Sequence, residues 1–111
     1  MTTTVPAGSK ILIVDSETAC RRWLATLVAS ASCTPLLSST LEHARAIVRR
    51  ELPAVVLAGL DLEDGSGVDL SAFIQQVDPT IETVLMVAHR PRRGHRRPRE
   101  GDLRLPGQAV R

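Results

Sequence analysis

The chain has 111 residues, enough for one domain and too few for two independent cores. Hydrophobic residues make up 43% of it and charged residues 23%, proportions that exclude wholesale disorder. The net charge of +2 conceals an asymmetry. Residues 1–89 carry six Lys/Arg and ten Asp/Glu, a net charge of −4, whereas residues 90–111 carry eight Arg and two acids, a net charge of +6.

The sequence lacks the signals of secretion, membrane insertion or a disulfide framework. No apolar segment follows a basic start at the N-terminus, and the later apolar runs are far shorter than the roughly 20 residues of a membrane helix. Cys20 and Cys33 lie outside any CxxC motif or Cys/His cluster with metal-ligand spacing. We therefore expect a cytoplasmic protein that makes no contact with a membrane.

The first predicted elements are a flexible arm, a strand and a helix. Residues 1–9 form the arm, and the apolar run Ile11–Val14 predicts a strand covered on both faces that stops at Asp15. From Thr18 the apolar residues recur with helical spacing, which predicts a helix of about 13 residues. These apolar residues lie on one face of the helix and are Ala19, Trp23, Leu24, Leu27, Val28 and Ala31.

A short strand and a second helix follow. Residues 34–38 predict a weak strand, and Ser39 with Glu42 three residues later matches a capping box at the start of a helix. Pro53 ends that helix. The next apolar run, residues 54–58, predicts another buried strand.

Residues 59–67 form a loop rich in acidic residues and glycine. Ser66 and Asp69 again match a capping box, which begins a third helix, and residues 84–88 predict a last strand. Strands that alternate with helices through short connections predict a parallel sheet between two helical layers. Functional groups then gather at the carboxyl ends of the strands.

Three segments together resemble the receiver domain of two-component response regulators: residues 10–17, residues 53–67 with their Asp-Gly-Ser-Gly ending, and residues 84–88. The resemblance implies a flavodoxin-like, doubly wound parallel α/β sheet. Residues 10–89 then supply about four strands of a domain that is incomplete at its C-terminal end, and residues 90–111 form a basic, disordered tail. In this family a histidine kinase supplies a phosphoryl group to an aspartate at the end of the third strand.

The family's chemistry does not carry over residue by residue. The phosphoacceptor position falls on Gly59, and the acidic pair that holds Mg²⁺ in the family is reduced to Asp15 followed by Ser16. Ala88 stands where the family has a hydroxyl group, and the lysine that pairs with the phosphate is missing, because Lys10 is the chain's one lysine. We expect no catalytic residue and no phosphoryl transfer.

Three carboxylates remain as candidates for part of this chemistry. Asp61 and Asp64 lie two and five residues beyond the acceptor position, but in-line transfer needs a nucleophile fixed within fractions of an ångström, so we interpret both as solvated loop or helix-start acids. Asp15 is the one candidate ligand for Mg²⁺. A single carboxylate offsets too little of the dehydration cost of that ion, and we therefore expect no cofactor.

The tail supports a second hypothesis, weak and non-specific binding of nucleic acid. A dense positive field without interleaved aromatic residues attracts phosphate backbones but does not read bases. The arginines concerned are Arg90, Arg92, Arg93, Arg96, Arg97 and Arg99.

The sequence thus predicts a degenerate receiver, a non-enzymatic interaction module of two-component phosphorelay signalling whose partner is a histidine kinase or another signalling protein. Two alternatives stay open: a basic-tailed protein associated with nucleic acid, and a non-functional receiver fragment from a disrupted reading frame. An incomplete sheet leaves an open edge and uncovered apolar surface, which favours self-association.

Overall fold

The computed structural model describes residues 5–87. Its strands are β1 (Lys10–Val14), β2 (Thr34–Ser38), β3 (Val55–Gly59), β4 (Asp61–Leu62), β5 (Gly65–Ser66) and β6 (Glu82–Met86). Its helices are α1 (Thr18–Ser30), α2 (Leu41–Glu51) and α3 (Gly67–Val77). Across residues 5–87, no helix is both long enough and apolar enough to cross a membrane.

Four strands form one sheet in the order β2-β1-β3-β6, and every neighbouring pair is parallel. Leu12 of β1 aligns with Leu36 of β2 and with Val56 of β3, and Leu57 of β3 aligns with Val84 of β6. The predicted doubly wound parallel sheet is confirmed. Its strands follow from apolar, β-branched runs, which suit a sheet that is covered on both faces.

The core lies on one face of this sheet, under α2 and α3. Side chains at alternate positions of β1 and β3 point to this face and meet the apolar stripes of the two helices. Burying each large aliphatic side chain contributes about 1.5–3 kcal/mol. The largest fully buried aliphatic members of the cluster are Leu12, Val14, Val48, Val56, Leu70 and Ile74.

The opposite face is only partly covered, by α1. The apolar face of α1 is buried only in part: Val28 is buried, but Trp23 is 63% exposed and Leu27 46% exposed. Within residues 5–87 no second helix lies beside α1 on this face, so the outer part of the apolar stripe contacts solvent. Val84, on β6, is 43% exposed.

Two local predictions need correction. The cap of α2 is Thr40 rather than Ser39, because the Thr40 hydroxyl accepts a hydrogen bond from the backbone N–H of His43 at 3.2 Å. Residues 59–67 are not all loop, since β4 and β5 pair in an antiparallel hairpin. Of the predicted arm, residues 5–9 are described, and Gly8 donates its backbone N–H to the carbonyl of Ser32 at 2.7 Å.

Candidate functional site

A groove of about 470 Å³ opens where β1, β3 and β6 end. Parallel strands bring their carboxyl ends to the same edge of the sheet, which is where ligands bind in open α/β folds. The lining residues lie between β1 and α1, on α1, and at or just beyond the ends of β3 and β6. Its lining residues are Asp15, Ser16, Cys20, Trp23, Leu24, Gly59, Leu60, Asp61, Met86 and Val87.

The predicted acceptor position faces the predicted metal ligand across this groove. An ideal Cβ at position 59 would lie 3.1 Å from Oδ2 of Asp15 and 3.6 Å from its Cγ. The side chain of any residue other than glycine at this position would therefore point toward the Asp15 carboxylate. Gly59 leaves that direction open and supplies no nucleophile.

Asp15 is held in place by its neighbours in the chain. Its Oδ1 accepts the backbone N–H of Glu17 at 2.8 Å, immediately before α1 begins. Its backbone carbonyl accepts a hydrogen bond from Nη1 of Arg21 at 2.7 Å. One carboxylate oxygen thus closes the turn between β1 and α1, and the other lies toward Gly59.

The donors in the groove do not fit Mg²⁺, the ion that the resemblance implies. Mg²⁺ needs octahedral oxygen coordination and is held in proteins through carboxylates. Asp15 and Asp61 are the two acidic residues that line the groove, and the described part of the chain contains no group of three or more potential protein ligands.

The two candidate substitutes for the acceptor are placed differently. Asp61 lines the groove, and its backbone carbonyl accepts a hydrogen bond from the Ser16 hydroxyl at 3.4 Å. Asp64 lies elsewhere, at the start of α2, where its carboxylate accepts the backbone N–H groups of Leu41 at 2.7 Å and Glu42 at 3.0 Å. The interpretation of Asp64 as a helix-start acid therefore applies to α2, which begins 23 residues earlier in the chain, and not to α3, which follows Asp64.

These two backbone hydrogen bonds lower the pKa of Asp64 below its ordinary value, since they favour the charged form. A depressed pKa means that Asp64 stabilises the fold above its ordinary pKa, and that this effect is lost as the pH falls from there through the lower pKa of the folded state. We therefore expect Asp64→Ala to lower the melting temperature by about 4 °C at neutral pH, because two N-terminal donors of α2 lose their acceptor.

Thermal unfolding followed by circular dichroism measures this change. Glu63→Ala is the matched control, because Glu63 is an exposed acidic neighbour in the same turn. The difference between the two variants should shrink as the pH falls far enough to protonate Asp64 in the folded state. Equal melting temperatures at pH 7 would contradict the assignment of Asp64 as a cap.

Comparison with known proteins identifies the fold. No protein-family model matches the sequence, and no curated protein matches it. Solved structures do match. A mutant of the response regulator MaeR bound to sulfate has a TM-score of 0.68 at 22% identity, over 76% of this chain and 70% of that chain. The chain has the fold of response-regulator receiver domains.

Two further receiver domains match equally well. The domain of a LuxO-type repressor from Vibrio parahaemolyticus has a TM-score of 0.69 at 23% identity, over 74% of this chain and 63% of that chain. The non-phosphorylated HemR receiver from Leptospira biflexa has a TM-score of 0.67 at 21% identity, over 72% of this chain and 64% of that chain. This receiver-like chain thus spans less than two thirds of either solved chain.

The remaining predicted site positions lie outside the described residues. They are Ala88, at the family's hydroxyl position, and the tail arginines Arg90, Arg92, Arg93, Arg96, Arg97 and Arg99. Polyanion binding by these arginines stays a prediction. The sequence did not indicate that Trp23 lines the groove, because helical spacing places it on an apolar face without showing what lies against that face.

Proposed function

We propose that the chain is a receiver-like signalling module that cannot accept a phosphoryl group and acts by contacting a partner protein. The position of Gly59 carries this proposal. It lies at the end of β3, faces the Asp15 carboxylate, and has no side chain that could form an acyl phosphate. The receiver fold supports the signalling role, since the similar solved structures are response regulators.

Besides Asp15, the acidic residue that lines the groove is Asp61. It lies on β4, beyond the end of β3, and its backbone carbonyl is engaged by the hydroxyl of Ser16. Phosphoryl transfer depends almost entirely on positioning and charge stabilisation. Within residues 5–87, neither a cluster of metal ligands nor a lysine lines the groove beside this displaced carboxylate, so it meets neither requirement.

Exposed apolar residues support a role in protein contact. Trp23 and Leu27 on α1 and Val84 on β6 are each more than 40% exposed. Tryptophan is among the residues that contribute most to protein interfaces. A partner such as a histidine kinase or another signalling protein would cover this surface without any transfer of phosphate.

The proposal predicts that incubation with acetyl phosphate and Mg²⁺ leaves the intact mass of the full chain unchanged, because no acceptor is in place. Mass spectrometry measures this directly, with an ordinary receiver domain as the positive control. An added phosphoryl group that is present in the unmodified chain and absent from Asp61→Asn would overturn the proposal and would identify Asp61 as the acceptor.

A further inference from the structure

The groove combines two kinds of surface. Its lining includes the acidic residues Asp15 and Asp61 and also the apolar residues Trp23, Met86 and Val87. Trp23 is 63% exposed and Val87 76% exposed, so much of the apolar surface contacts solvent. A ligand that fits both surfaces carries positive charge and also has a face that packs against an aromatic ring.

The guanidinium group of arginine has both properties. It is planar, weakly hydrated and always charged, it pairs with carboxylates, and it stacks on aromatic rings, best on tryptophan. The chain already uses this chemistry elsewhere, because the guanidinium groups of Arg45 and Arg49 lie 5.6 and 5.0 Å from the centre of the Phe73 ring. The groove therefore favours an arginine-bearing segment over a lysine-bearing or purely apolar one.

The chain carries such a segment next to the groove. Val87, which lines the groove, is the last described residue, and Arg90 follows it by three residues. Three extended residues span up to about 10 Å. Residues 90–99 contain six arginines and no acid, whereas residues 1–89 have a net charge of −4.

We propose that the arginine-rich segment, residues 90–99, docks into the groove of its own chain. Its guanidinium groups pair with Asp15 and Asp61 and stack on Trp23. The short connection gives the segment an effective concentration in the millimolar range, about that of other short flexible linkers. The proposal goes beyond the function proposed above, because it holds whether or not the chain accepts phosphate, and it implies that nucleic acid competes with the groove for the same arginines.

Trp23 is the chain's one tryptophan, and the chain has no tyrosine, so the fluorescence of the full chain reports on the groove. The probe is acrylamide, a neutral quencher. Replacing all six arginines of residues 90–99 with glutamine should raise the quenching constant of Trp23 roughly twofold, because the stacked cations no longer cover the ring. Raising the salt concentration of the unmodified chain to about 1 M should produce the same rise, since ions screen exposed pairs.

Two matched variants test the polar surface of the groove. Asp61→Asn should raise the quenching constant in low salt, whereas Glu63→Gln, which removes the same charge from an exposed residue outside the groove lining, should leave it unchanged. Quenching that is the same in the unmodified chain at low and high salt and in the six-arginine variant would overturn the proposal. A protection of Trp23 that disappears on dilution would also overturn it, in favour of a second copy of the chain as the occupant.

Discussion

Replacing Gly67 with alanine is expected to lower the free energy of unfolding by about 3 kcal/mol, because this residue touches the backbone of the strand that ends at the groove. A Cβ at position 67 would overlap the carbonyl oxygen of Gly59 and would lie 3.1 Å from its carbonyl carbon. The backbone N–H of Gly67 also donates to the carbonyl of Leu60 at 3.0 Å. Because the overlap involves backbone atoms, no change of rotamer relieves it.

Urea unfolding of the full chain measures this loss. Val68→Ala is the matched control, since Val68 is the next residue of α3 and is 54% exposed, and we expect it to change the free energy of unfolding by less than about 0.5 kcal/mol. Equal stability of the two variants would show that α3 does not approach β3 as closely as the structure indicates. The same close approach explains why α3 begins with glycine.

The parts of the fold that depend on short-range signals could be predicted from the sequence. Continuous apolar runs identified β1 and β3, and the last strand, β6, begins two residues before the predicted start at Val84. The capping box of α3 is confirmed, with both of its hydrogen bonds, between Ser66 and Asp69, at 3.2 Å. Each of these features is determined by residues that lie within a few positions of one another in the sequence.

The start of α2 shows where short-range signals end. The pair Ser39 and Glu42 matched a capping box, but Thr40 caps the helix and Asp64 accepts the backbone N–H groups of Leu41 and Glu42. With this distant carboxylate satisfying two donors, the helix does not need the reciprocal bond from Glu42. The interaction joins residues more than 20 positions apart, and no local pattern encodes it.

Trp23 shows a second limit. Helical spacing establishes that one face of α1 is apolar, and it does not establish what lies against that face. In residues 5–87 the sheet face beside α1 carries no other helix, and Trp23 lines the groove. The candidate site could also be predicted only in part. The position of Gly59 at the end of a strand was predicted from the sequence, and the structure adds that Gly59 faces Asp15.

That geometry predicts a large effect for Gly59→Asp. A carboxylate at position 59 would lie beside Oδ2 of Asp15 and repel it, and we expect the variant to be about 1–2 kcal/mol less stable than Gly59→Asn in the presence of EDTA. The asparagine variant is the matched control, because it has the same shape and no charge. Both variants carry the same steric cost of a Cβ close to Asp15.

Mg²⁺ should offset much of this difference in stability between the two variants. Two facing carboxylates supply ligands that the unmodified groove lacks, and if the pair binds Mg²⁺ with a Kd of about 1 mM, an ion concentration of about 10 mM adds about 1.4 kcal/mol of stability. Urea unfolding with EDTA and with Mg²⁺ measures the gain, which should be absent from Gly59→Asn and from the unmodified chain. A Mg²⁺ response of the same size in the aspartate and asparagine variants would mean that position 59 does not face Asp15. A gain confined to the aspartate variant would show that the receiver geometry persists at this edge of the sheet, and that the loss of one side chain at Gly59 removes the metal site along with the acceptor.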